Sequence, residues 1–232
     1  MARSRCYTCR IKSCSFLKDC SKNVLEEISD LKQHFTFERG ELIVRENEEI
    51  NGVYFISSGV AKVMLNDVQG RPLIIRLLQP GEVFGHRINN KHKIHPASIV
   101  AIEKTNICFV PLSCFLKFFS SDKTFFQGVI NQYLNDVRDV ELRTLFLAYK
   151  TVRQKVAGAM LQIAKAYQYQ HDAKGIRIHL ERQEIADLAS TTKEQVSKIL
   201  FDLKSEGLIN FRAKHFKYIN TEALQGILDG SG

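Results

Sequence analysis

Short β-rich runs punctuated by glycine, a long proline-free stretch with a heptad seam, and two short helical segments followed by a basic hairpin together predict an α+β chain. The expected architecture is an N-terminal antiparallel β-roll of jelly-roll type, then a long dimerisation helix, then a C-terminal winged helix-turn-helix. The expected divisions are a cysteine-rich basic arm over residues 1–22, the β-roll over 23–120, the dimerisation helix over 121–150 and the DNA-binding domain over 151–232.

The β-rich part runs from about Phe35 to Leu112. Its clearest runs are Val53 to Ile56, Val60 to Leu65, Leu73 to Leu78 and Ile99 to Val110, separated by Gly40, Gly59, Gly70, Gly81 and Gly85. Glycine at such intervals supplies the positive φ that tight turns require. Ahead of these runs, Val24, Leu25, Ile28 and Leu31 have helical spacing.

Residues 122–149 contain no proline and read as one helix. Phe126, Ile130, Tyr133, Val137, Val140, Thr144 and Leu147 recur at alternating intervals of four and three, the seam of a two-stranded coiled coil. Charged Asp136, Arg138, Asp139, Glu141 and Arg143 flank it, as on an exposed dimer helix. A second helix follows from about Thr151 to Tyr169, then a break at Gly175 and a short strand from Ile176 to Leu180.

The segment from Glu181 to Leu203 is the most informative. Ile185 and Leu188 give one apolar face, and Ala189 lets a second helix cross closely. Thr192 with Gln195 forms a capping-box pair that starts that helix. Val196, Ile199, Leu200 and Leu203 bury it, leaving Lys193, Glu194, Ser197 and Lys198 outward near its N-terminus. Such a helix end enters the major groove. The lysines can donate to guanine or phosphate, the glutamate can accept from cytosine, and the serine can bond a base or a phosphate. After Gly207, Leu208 to Ile219 reads as a wing whose Arg212, Lys214, His215 and Lys217 can meet phosphates.

Charge agrees with this division. The net charge is +8; residues 1–22 hold six Lys/Arg against one acid, 23–150 hold 15 of each sign, and 151–232 hold 12 basic and nine acidic residues. Basic ends around a neutral middle suit double-stranded DNA. No stretch reaches the apolar length of a membrane span or a signal peptide, so a cytoplasmic chain with no membrane partner is expected. In that compartment cysteines serve as thiols or metal ligands. Cys6-x2-Cys9-x4-Cys14-x5-Cys20 places four thiols within 15 residues. That density suits an iron–sulfur cluster, zinc, or a redox-active or inert thiol arm. Cys114 reads as a buried thiol.

The runs Phe37-Glu-Arg-Gly-Glu-Leu42, Tyr54 to Val63 and Pro80 to Gly85 resemble the β-roll glycine motifs of the CRP/FNR family. Arg182 to Ala186 and Glu194 to Lys198 resemble its DNA-binding signature, so the resemblance covers nearly the whole chain. It implies a cyclic-nucleotide-binding-like β-roll and a homodimeric transcription regulator on a palindrome, with RNA polymerase as a further partner. Glu194, Ser197 and Lys198 stand at its base-reading positions, Arg182 at a phosphate contact. Lysine replaces the usual arginine at 198, which removes a rigid bidentate fork.

The resemblance also places Gly85, His86, Arg87, Ala97 and Ser98 in the effector pocket. The glutamate that cyclic-AMP binders carry after Phe-Gly is absent, and Ala97 stands where their phosphate-binding arginine would. Ordinary cyclic-AMP chemistry is therefore not expected. Oxygen-sensing members supply a distant cluster ligand from a strand that Lys104 to Pro111 resembles. This implies a 4Fe–4S cluster on Cys6, Cys9, Cys14 and Cys108, with Cys20 the rival for the last place. Haem on His86, His92 or His95 is a further alternative; the plain reading of those histidines, beside Arg87, Lys91 and Lys93, is a solvated surface. An electron-carrying iron–sulfur protein would share the cysteines but would not need residues 192–203. No nucleophile triad, phosphate loop or carboxylate pair marks an enzyme.

Overall fold

The computed structural model describes residues 6–9, 15–70, 72–88, 93–170 and 175–230. The chain divides into two compact units, Met1–Ala61 with Leu78–Val140, and Lys62–Leu77 with Glu141–Gly232.

In the first unit, helix α1 (Lys22–Leu31) starts at Ser21, whose hydroxyl accepts from the Val24 amide. Strands β1 (Gln33–Phe37), β2 (Leu42–Val44), β3 (Gly52–Ser58), β6 (Val83–Phe84), β7 (Ser98–Ala101) and β8 (Thr105–Pro111) follow, with β4 (Ala61–Asn66) and β5 (Pro72–Leu78) intervening in sequence. One antiparallel sheet has the order β1-β8-β3-β6, and β2 pairs with β7. The single run expected from Ile99 to Val110 is two strands. The Thr105 hydroxyl bonds the carbonyls of Val60 and Glu103 and turns the chain between them.

Helix α2 (Leu112–Ser121) and the part of α3 (Lys123–Tyr149) up to Val140 close this unit. The core is aromatic: Phe16 meets Phe55 and Phe125 with centroids 5.5 and 5.4 Å apart, and Phe125 meets Phe115 at 5.4 Å. Such ring pairs add to the burial of their area. Phe16 and Leu17, from the cysteine-rich arm, are therefore core residues. Gly128 of α3 admits this arrangement, because a Cβ there would stand 2.8 Å from the Phe16 carbonyl oxygen.

In the second unit, β4 and β5 are neighbouring strands. Helix α4 (Val152–Ala166) begins in a complete capping box of Thr151 with Gln154. The expected strand after Gly175 is only β9 (Ile176–Arg177). Helices α5 (Arg182–Ala189) and α6 (Lys193–Ser205), the hairpin β10 (Ile209–Arg212) with β11 (His215–Ile219), and α7 (Thr221–Asp229) complete it. Strand order β10-β11-β9 makes the wing a three-stranded sheet. Helices α4, α5 and α6 bury Val156, Met160, Ile163, Ile185, Leu188, Val196, Leu200 and Leu203 together.

Gly59 ends β3 at φ 82°, and a Cβ built there would lie 2.3 Å from the Lys104 carbonyl oxygen. Gly59→Ala should destabilise the chain by about 2–4 kcal/mol, from left-handed strain plus the backbone clash. The measurement is the urea midpoint; a midpoint equal to that of the parent chain contradicts the turn geometry.

Candidate DNA interface and cysteine site

The DNA-reading element rests on two capped helices. In α5, Glu181 and Glu184 form a capping box, and Lys62 pairs with the other oxygen of Glu184. The helix ends on Ser190, left-handed at φ 52°. Helix α6 starts at Thr192, whose hydroxyl accepts from the Gln195 amide at 3.3 Å. The reciprocal half of the expected box is missing, because the Gln195 side chain accepts from the Thr191 hydroxyl instead. Ala186 and Ala189 are fully buried, which permits the close approach of α6.

Lys193, Glu194, Ser197 and Lys198 are exposed on one side of α6, with Val196 and Leu200 buried on the other. The Ser197 hydroxyl donates to the Lys193 carbonyl within the helix. Phe201, 69% exposed, shares the outward face one turn beyond Ser197. Its chemistry fits contact with a thymine methyl, and its spacing in the sequence could have revealed it. In the wing, Arg212, His215 and Lys217 are exposed, while Lys214 pairs with Glu181. Arg182 lies over the Phe211 ring at 5.1 Å and near Phe216 at 6.0 Å, half-buried, with its pKa lowered by burial against the opposing pull of Glu181. Arg143, at the end of α3, donates to the Leu188 carbonyl at 2.7 Å and to the Ser190 hydroxyl, so it braces the terminus of α5.

The seam residues divide by position. Phe126, Val137, Val140 and Thr144 are exposed, joined by Leu134 and Leu145, while Ile130, Tyr133 and Leu147 are half-buried. Phe125, Val129 and Asp136 occupy an adjoining, buried side of α3. The helix thus carries two apolar faces, only one of them covered by its own chain.

The residues expected in an effector pocket go to different partners. His86 and Asp136 are 2% and 3% exposed, with Nε2 3.0 Å from Oδ2. Arg87 donates to the same oxygen from Nε at 2.9 Å and lies 2.8 Å away through a terminal nitrogen. Gln132 donates to the other carboxylate oxygen. Gly85 holds φ 80° against the Gly52 carbonyl, Ala97 is buried, and the Ser98 hydroxyl accepts from the Glu46 amide. The solvated-histidine reading is corrected: His86 and His95 are buried, and burial lowers the His95 pKa against the opposing pull of Glu48. His92 lies outside the described residues.

The cysteines converge in part. Cys6 opens a 3-10 turn (Cys6–Thr8), and the Cys9 amide donates to the Cys6 carbonyl at 3.3 Å. Cys108, on β8, sits between His34 of β1 and Phe55 of β3 in the strand register. Cys6, Cys9 and Cys108 line one mainly apolar, partly open cleft together with Lys32, Phe55 and Val110. Burial pushes the Cys108 thiol up to about 11; Lys32 pulls it down, and Cys6 and Cys9 push it up. Cys20 is not on the cleft. It is buried in the core with its thiol toward the Phe16 carbonyl, and Cys114 is also a buried thiol. Cys14 lies outside the described residues. Among the described residues no group of three or more His, Cys, Asp or Glu side chains is arranged to hold a metal ion, and no helix is long and apolar enough to cross a membrane.

Residues 34–122 match the model of a cyclic nucleotide-binding domain, and residues 154–227 that of a Crp-like helix-turn-helix domain. The chain is similar to the cyclic AMP receptor protein of Thermus thermophilus, 24% identical over 76% of this chain and 79% of that protein. It is also similar to an anaerobic regulatory protein of Haemophilus influenzae, 19% identical over 98% of this chain and 88% of the relative. The structure of FixK2 from Bradyrhizobium japonicum superposes with a TM-score of 0.74 at 24% identity, covering 84% of this chain and 96% of the other.

Proposed function

Because this chain belongs to the CRP/FNR family of DNA-binding transcription regulators, we propose that it reads a palindromic site as a homodimer and holds an iron–sulfur cluster on Cys6, Cys9 and Cys108, with Cys14 as fourth ligand. The observation that supports the sensing half is the cleft that Cys6 and Cys9, neighbours in sequence, share with the distant Cys108. Their chemistry fits: an all-thiol donor set suits iron–sulfur chemistry or zinc, and the mainly apolar walls limit water. When bound, the cluster supplies an oxidant-sensitive group whose redox state changes charge and ligation. The chain's own part is to fix the ligands. In this reading the 3-10 turn would supply Cys6 and Cys9, and β8 would supply Cys108.

The β-roll itself works without ordinary cyclic-AMP chemistry in this reading. Arg87, the arginine of the segment expected to line the effector pocket, is already held by the buried carboxylate of Asp136. An arginine so engaged would have to break a charge-assisted pair before serving a ligand. RNA polymerase is the further partner implied for a regulator of this kind.

On DNA, the exposed face of α3 would pair two chains, setting their α6 helices into half-sites about one turn, roughly 34–36 Å, apart. Selection from a random DNA pool tests this. A palindrome with half-sites at that spacing is expected, with affinity falling steeply with salt; enrichment of single half-sites or of no sequence overturns the reading. Within the selected site, Glu194→Ala should relax preference at one base pair by about 1–3 kcal/mol. A uniform loss on all sequences would remove its base-reading role.

A further inference from the structure

Resting on the reading of Cys6, Cys9 and Cys108 as ligands, we propose that Lys32 is a positioning residue for the cysteine site, holding Cys6 and supplying the positive charge that buried thiolates require. Lys32 is 4% exposed, although lysine is almost never buried without a partner. Its Nζ donates to the Cys6 sulfur at 3.4 Å, and its side chain lines the same cleft as Cys9 and Cys108.

Local structure explains how the lysine comes to be there. Lys32 is the C-cap of α1, its amide donating to the Ile28 carbonyl at 2.9 Å. Ser29 stands three residues earlier on the same helix, and residues three apart share a face. The Ser29 hydroxyl accepts from the Cys6 amide at 2.7 Å and donates to the Leu25 carbonyl at 2.7 Å. Helix α1 therefore grips Cys6 twice, by its backbone through Ser29 and by its sulfur through Lys32. Burial alone accounts for the bond to the Cys6 amide, which any buried N–H requires; it does not call for an ammonium on the sulfur.

Charge gives the lysine its role toward a bound group. Thiol ligands lose their protons on binding metal, and a thiolate-held metal or cluster carries net negative charge into a cleft that is mostly apolar. Uncompensated buried charge is costly. An ammonium at hydrogen-bond distance from one ligand offsets part of that cost and orients the sulfur. Outer partners of metal ligands do both, and losing one weakens metal affinity by roughly 10–100-fold.

The test uses the full chain, purified without oxygen, with cobalt(II) as an optical probe of thiolate ligation and with iron and sulfide for cluster assembly. Lys32→Met should bind cobalt roughly 10–100-fold more weakly than the parent, and its assembled cluster should bleach faster in air. Lys32→Arg should recover most of both. Lys32→Gln keeps a polar donor without the charge; it should fold if the methionine variant does not, and should still bind cobalt weakly. Thermal melts of the metal-free chains separate lost ligation from lost folding. Cobalt affinity and bleaching rates unchanged in folded Lys32→Met or Lys32→Gln overturn the role of Lys32 while leaving the ligand reading intact. A parent chain that binds no cobalt and assembles no cluster overturns the ligand reading itself.

Discussion

The Val137→Asp chain should sediment as a 26.5 kDa monomer and lose specific DNA binding. Val137 is 56% exposed in the middle of an apolar stripe that Phe126, Leu134, Val140 and Leu145 continue. The other face of α3 is already used, since Phe125 and Val129 are buried within their own chain. In a parallel pair, each seam residue faces its own copy. The substitution therefore sets two carboxylates against each other in an apolar interface, where an unpaired charge costs several kcal/mol. Splitting the dimer also removes the second half-site contact, worth about 10²–10⁴ in affinity for a linked pair. The monomer's own core is untouched, so its far-ultraviolet circular dichroism should match the parent. An unchanged mass by analytical ultracentrifugation would remove the coiled-coil assignment.

The second large effect separates two cysteines that look equivalent in sequence. Cys108→Ala should abolish cluster assembly, and Cys20→Ala should leave it intact. Cys108 faces the cleft that Cys6 and Cys9 share, whereas Cys20 is buried in the core with its thiol toward the Phe16 carbonyl. Removing Cys20 deletes a small buried group and should cost stability of about 1 kcal/mol, read as a lower melting temperature with the visible band retained. Iron content after anaerobic reconstitution is the readout. Loss of iron in Cys20→Ala with retention in Cys108→Ala would reverse the assignment.

What the sequence reveals follows from range. The long helix α3, the helix pair α5–α6 and the wing are legible because period, caps and turn residues are local signals. Thr192 caps α6 as its sequence suggests, and the hairpin turns at Ala213 and Lys214. Helix α2 was hidden because its aromatic run directly follows Pro111 at the end of a strand. Helix α7 follows Asn220, whose side chain caps it, but the segment is short and has a glycine within it.

The site is less legible because it is assembled by tertiary structure. Only strand register and the buried arm bring Cys108 to the cleft of Cys6 and Cys9. Nothing in the sequence singles out Lys32, and Asp136 reads there as an exposed charge flanking the seam. Their burial exists because particular partners, Cys6 for one and the His86–Arg87 pair for the other, await them in the fold. Arg182 shows the converse. Its place in the motif suggests a phosphate contact, and in the structure its guanidinium stacks on the aromatic wing.

The most direct test of the account is an absorbance spectrum with iron, zinc and sulfide analysis on the full chain purified without oxygen. A bound cluster should show as a broad band at about 400 nm with about four irons and about four sulfides per chain, bleached by air. A colourless chain, free of iron or carrying zinc alone, would contradict the cluster reading.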